Sequence, residues 1–158
     1  GWNINEQNIR DGMKDVKWPG RFDVVSHSPL FIIDGGHNPQ CIEALVKNVE
    51  DYLHDRKVIA LTGVLADKDY ADMYVPIMPF VNQFVCITPP NPRKLESAEL
   101  AKYLRTKGAQ AVGSDSIMDG VKTALELAGS DGVVLCFGSL YSIGSIRDAL
   151  SSLQAASV

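Results

Sequence analysis

From residue 22 to about residue 150, short apolar runs alternate with longer amphipathic ones, the pattern of strands alternating with helices. The runs predict strands over 22–26, 30–33, 57–62, 84–88, 110–112 and 132–137, with helices over 39–53, 70–78, 97–107, 117–127 and 142–153. Only a few residues around Ser28 and Pro29 separate the first two strands, too few for a parallel crossover, so an antiparallel hairpin is expected there. The later strands are separated by helices and should run parallel. In an open parallel sheet, ligands bind beyond the carboxyl ends of the strands, which singles out residues 34–38, 63–69, 89–93, 114–115 and 138–141.

The first twenty residues break this alternation. A short helical stretch over 6–13 leads into a Pro19-Gly20 turn, so residues 1–20 are expected to be a linker or the tail of another unit, with Gly1 a cloning remnant. Residues 155–158 are expected to fray. The 158 residues, 46% hydrophobic and 22% charged, suit one compact domain with an ordinary core. A net charge of −4 offers no basic field for nucleic acid or an anionic membrane. The apolar runs are strand-sized, below the roughly 18 residues of a membrane span, and no signal-peptide pattern opens the chain, so a cytoplasmic location is expected. Cys41, Cys86 and Cys136 are odd in number and widely spaced, which suggests small buried apolar residues rather than disulfides or a CxxC site. His27 and His54 read as surface residues, and the three isolated histidines have no metal-ligand spacing; no metal site is expected in this chain.

Three strand-end clusters could carry chemistry. In Phe31-Ile32-Ile33-Asp34-Gly35-Gly36-His37-Asn38-Pro39, a buried-type strand runs into a glycine-containing turn, then Asn38 as an N-cap and Pro39 at the first helical position. The exposed helix N-terminus favours an anion, Asp34 could accept bonds from ribose hydroxyls or approach a metal, and His37 could reach the anion. A capped turn alone would place the same residues there. The second cluster, Thr62 through Tyr70, offers Lys68 to a carboxylate or phosphate and Asp67 or Asp69 as a helix cap. The third, Cys136 through Gly144, presents the Ser139 hydroxyl and backbone N–H at the same edge, and Ser139 as a plain N-cap of the last helix competes with that role. Arg93, in the stiff Pro89-Pro90-Asn91-Pro92-Arg93 loop at the same edge, could face ligand or solvent, and solvent is the expectation. Neither GxGxxG nor GxxxxGK[ST] occurs, so this chain does not cradle a triphosphate in the usual way.

Four ordered segments are similar to one family: Trp18-Pro19-Gly20-Arg21-Phe22, Ile33 through Pro39, Gly63-Val64-Leu65-Ala66-Asp67-Lys68-Asp69 and Gly138-Ser139-Leu140-Tyr141. They resemble the C-terminal domain of folylpolyglutamate synthase/dihydrofolate synthase, in the Mur ligase superfamily. The family pattern Asp-Gly-Ala-His-Asn-Pro has Gly36 here in place of alanine, a small-for-small change. The resemblance implies a Rossmann-like three-layer α/β domain over residues 21–158, with a mostly parallel sheet of about six strands and an N-terminal antiparallel hairpin strand. Residues 1–20 would be the interdomain linker and the tail of a missing ATPase domain.

The implied activity is an ATP-dependent, ADP-forming ligase that joins L-glutamate to dihydropteroate or a folate through an acyl phosphate. ATP and Mg²⁺ would be held mainly by the preceding domain, and the chain alone, read as a monomer, should not turn over. By position in the family motifs, Arg21 and Asp34 resemble ATP contacts, with Asp34 at the ribose. His37 resembles the catalytic residue near the reacting phosphate or glutamate; Lys68, Ser139 and Tyr141 join it around glutamate. Two other readings compete. A cell-wall Mur ligase would share the fold, although the His-Asn-Pro segment favours the folate branch. A receiver-type signalling module would make Asp34 a phosphoacceptor, but it needs clustered acids before that residue and a lysine after the last strand, where this chain has Phe137-Gly138-Ser139.

Overall fold

The computed structural model describes residues 2–16 and 18–156. Six strands, β1 (Asp23–His27), β2 (Leu30–Ile33), β3 (Val58–Thr62), β4 (Gln83–Cys86), β5 (Ala111–Gly113) and β6 (Val133–Phe137), form one sheet in the order β1-β2-β6-β3-β4-β5. β1 pairs antiparallel with β2, while every other neighbouring pair is parallel. The expected hairpin and mostly parallel six-stranded sheet are both present. All residues of β3 and β6 are buried, as befits central strands covered on both faces.

Alternate strand residues feed two cores. Ile32, Ala60, Phe84 and Leu135 face one side, where they meet α2 (Pro39–Leu53), α3 (Tyr70–Ile77) and α4 (Ser97–Thr106). Ile33, Leu61, Val85 and Val134 face the other, against α5 (Ile117–Ala128) and α6 (Ile143–Ala156). The period of two in the strands and the apolar stripes on the helices thus assemble three layers. Helix α2 buries Ile42, Leu45, Val49 and Leu53, a spacing of three and four residues that puts one stripe on the sheet.

Chain order explains where a crevice opens. From β2 the chain crosses to β3, leaving a gap that β6 fills last, so the turns after β2, β3 and β6 meet at one end of the sheet. The turn after β5 lies at the far edge.

Helix α1 (Glu6–Asp15) is stabilised locally by a reciprocal Asn5–Asn8 capping box and a Glu6–Arg10 ion pair, and buries no residue. Trp2, Ile4, Ile9, Met13 and Val16 are all exposed. Two terminal expectations need adjustment. Helix α6 continues through Ala155 and Ala156, so these do not fray, while Ser157 and Val158 lie outside the described residues, as do Gly1 and Lys17. Cys86 and Cys136 are buried as expected, but Cys41 is only partly covered, because it sits in the first turn of α2 over the strand-end turn rather than against the sheet.

Candidate functional site

The turn after β2 is built as its sequence suggests. Asn38 caps α2 by accepting the Cys41 N–H at 2.9 Å, and Pro39 opens the helix. Asp34 accepts the Gly36 N–H at 2.6 Å through Oδ1 and the Phe22 N–H at 2.9 Å through Oδ2. Its carboxylate therefore braces both the turn and the segment leading into β1. His37 donates from Nδ1 to the Gly35 carbonyl at 2.8 Å, because a carbonyl can only accept. That bond fixes the proton on Nδ1 and leaves Nε2 available.

The three central turns are stitched to one another. Gly138 N–H donates to the Gly36 carbonyl at 2.8 Å, and Asp34 N–H donates to the Cys136 carbonyl at 2.8 Å. Gly138 has φ +105°, and a Cβ there would stand 2.6 Å from the Gly63 carbonyl oxygen, so both conformation and contact require glycine. Beneath these turns the fully buried Thr62 donates to the Phe137 carbonyl at 2.8 Å and accepts from the Tyr74 hydroxyl at 2.8 Å. Burial pushes the Tyr74 phenol far above its ordinary range, so it stays protonated and donating.

Above this floor lies a cavity of about 310 Å³ lined by His37, Lys68, Arg93, Ser139 and Tyr141, with Leu65, Gly138 and Leu140 completing the wall. Four of the six residues singled out from sequence, His37, Lys68, Ser139 and Tyr141, therefore share one space. Arg21 and Asp34 do not line it. Arg21 is exposed next to the strand-end turn, and its guanidinium has no partner among the described residues. Ser114 and Asp115 also lie outside the cavity, and Ser114 uses its carbonyl to accept from Ser97 Oγ at 2.8 Å.

Two local expectations are corrected. Neither acid of the second cluster caps α3 through its side chain, since Asp69 at the N-cap makes no side-chain capping bond and Asp67 pairs with Arg93 at 2.7 Å. Ser139 does not cap the last helix; it caps the 3₁₀ turn Leu140–Ser142, accepting the Tyr141 N–H at 3.3 Å. Arg93 is exposed, as expected, and also borders the cavity: the loop after β4 is pinned to the loop after β3 by Ala66 N–H to Arg93 carbonyl (2.7 Å) and Leu95 N–H to Val64 carbonyl (3.0 Å). Such loop-to-loop pairing leaves no periodic trace in sequence; the spaced prolines were its only hint. Among the described residues no three His, Cys, Asp or Glu groups are placed to hold a metal, and Asp34 and Asp67 are already engaged.

Comparison with known proteins decides the family. The model of the Mur ligase glutamate ligase domain matches residues 20–140. The chain belongs to this Mur ligase domain family. Folylpolyglutamate synthase of Lacticaseibacillus casei is 31% identical over 153 residues, covering 94% of this chain and 33% of the relative. Among solved structures, Escherichia coli FolC in complex with DHPP and ADP superposes with a TM-score of 0.86 at 28% identity, over 98% of this chain and 36% of that one. A bifunctional folylpolyglutamate synthase/dihydrofolate synthase with Mn, AMPPNP and L-glutamate bound gives a TM-score of 0.81 at 29% identity, over 95% of this chain and 36% of that one. The chain thus spans about a third of the length of the curated relatives it matches. Its membership in the Mur ligase domain family accounts for the three-layer fold and the mixed sheet.

Proposed function

We propose that residues 21–158 are the glutamate-binding C-terminal domain of an ATP-dependent, ADP-forming ligase that joins L-glutamate to dihydropteroate or a folate. Residues 1–20 are its interdomain linker and the end of a preceding ATPase domain, and the exposed apolar side chains of α1 are the surface that meets that domain. The observation that carries this reading is the arrival of His37, Lys68 and Ser139 on one cavity from three separate strand-end turns. The parent enzyme is a cytoplasmic monomer with no nucleic-acid or membrane partner; no helix among the described residues is long and apolar enough to cross a membrane.

In this reading the acceptor carboxylate attacks the γ-phosphorus of ATP and ADP leaves. The glutamate nitrogen then attacks the acyl carbon, and the C–O bond to phosphate breaks. Lys68 holds a glutamate carboxylate, and the Ser139 hydroxyl, whose oxygen takes the Tyr141 N–H, keeps its own proton free to donate to that carboxylate. His37, with Nδ1 committed to Gly35, offers Nε2 to the glutamate ammonium as it loses its proton. Tyr141 closes the cavity wall. Arg21 reaches the nucleotide with an unpaired guanidinium, and Asp34 retains one lone-pair direction on each oxygen for ribose hydroxyls. Among the described residues no donor set fits a metal; in this reading Mg²⁺ and the triphosphate belong to the preceding domain, and closure of one domain on the other completes the site.

ADP release with ATP, Mg²⁺, L-glutamate and dihydropteroate or tetrahydrofolate tests this, comparing the chain with its full-length parent. Activity is expected in the parent alone. Turnover by the chain alone, or glutamate-independent ADP release by the parent, contradicts the proposal.

A further inference from the structure

Arg21 sits in a turn that does not hold its own shape. Gly20 has φ +79° and Phe22 φ +44°, and the second is a left-handed conformation that costs a bulky residue energy and persists only where the surroundings enforce it. The enforcement comes from outside the turn. The Gly20 carbonyl accepts the Gly35 N–H at 2.7 Å, the Phe22 N–H donates to Asp34 Oδ2 at 2.9 Å, and the Gly20 N–H donates to Asp23 Oδ2 at 3.0 Å. The same Asp23 oxygen takes a guanidinium N–H from Arg147 in α6, where the adjacent Ile146 and the nearby Leu150 are buried in the second core. With 38% and 26% of the two side chains exposed, Arg147–Asp23 is the most covered ion pair among the described residues, so solvent weakens it least.

This pair does not line the cavity, yet it bears on Arg21. Asp23 stands two positions along the chain from a guanidinium that has no partner among the described residues. A carboxylate left unneutralised that close would draw the guanidinium to itself. Arg147 offsets the charge and holds the oxygen against the Gly20 N–H, so the turn keeps its shape and Arg21 keeps its donors free for an anion. Resting on the proposed contact of Arg21 with the nucleotide, we infer that Asp23 and Arg147 are positioning residues for nucleotide binding that act through Arg21.

The test is steady-state kinetics of the full-length parent carrying Arg147→Met, Arg147→Lys or Asp23→Asn, each with and without Arg21→Ala. Arg147→Met should raise the KM for ATP about fivefold, the size of a coupling within one network of contacts, and leave the KM for L-glutamate unchanged. Asp23→Asn keeps an acceptor for the Gly20 N–H and removes the competing charge, so its rise should be smaller, about twofold. Arg147→Lys keeps the cation and should stay close to native. In the Arg21→Ala background none of the three should change the ATP KM further. If Arg21→Ala raises the ATP KM and neither Arg147→Met nor Asp23→Asn does, this inference is wrong and the nucleotide reading stands. The inference is equally wrong if the pair variants raise the KM for ATP and for glutamate alike, or act undiminished without Arg21, because the pair then supports only the fold. If Arg21→Ala itself leaves the ATP KM unchanged, the proposed nucleotide contact falls and the inference falls with it.

Discussion

The floor and the rim of the cavity are built by opposite means. The floor consists of short-range backbone contacts among the turns after β2, β3 and β6, over a buried Thr62–Tyr74 pair in which every hydroxyl is used. The rim consists of Lys68, Arg93 and Tyr141, partly or largely exposed and held by few bonds. Floor residues are fixed by what a neighbouring atom allows, whereas rim residues retain unused donors. The difference separates two kinds of sensitivity: changes to the floor should cost stability, and changes to the rim should cost ligand.

The sharpest way to break this division is Gly138→Ala, which combines a φ of +105° with a Cβ 2.6 Å from the Gly63 carbonyl oxygen. A loss of more than about 3 kcal/mol in chemical denaturation is expected. Thr62→Val follows, at about 1–3 kcal/mol, because it strands the Phe137 carbonyl and the Tyr74 hydroxyl in a dry interior. Tyr74→Phe should cost about 1 kcal/mol, since Thr62 keeps its bond to Phe137. If Thr62→Val were no worse than a surface change, the floor would not be the rigid element described. On the rim, Lys68→Ala should leave the unfolding free energy within about 0.5 kcal/mol of the native chain, as for a partly exposed side chain with no partner among the described residues. The smallest effect concerns the thiols. Burial pushes Cys86 up to about 12 and raises Cys136 as well, so at pH 8 both remain protonated and shielded. A thiol reagent should label only Cys41 in the folded chain and all three cysteines after unfolding.

The same contrast sets what was legible in the sequence. The bounds of β2 and α2 follow from a buried apolar run ending at Ile33 and from the Asn38-Pro39 start signal, both local. Strand β4 was expected through Thr88 and stops at Cys86, because its outer neighbour β5 supplies only three residues. The 3₁₀ turn at 140–142 displaced the start of the last helix and took Ser139 as its cap. His37, Lys68, Ser139 and Tyr141 were legible as strand-end residues and through the family resemblance. Whether Arg93 meets the cavity or solvent was not legible, because its place depends on one loop pairing with another across the sheet edge, and Asp34 proved to brace residue 22, twelve positions away. Hydrophobic periodicity reports on elements; it is silent on which loops touch.

The claim that this cavity holds glutamate is tested most directly by steady-state kinetics of the parent enzyme carrying Lys68→Ala. The account predicts a KM for L-glutamate raised about tenfold or more, as for loss of a charge-assisted carboxylate contact, with the KM for ATP unchanged. An unchanged glutamate KM, or a rise in the ATP KM alone, would contradict it.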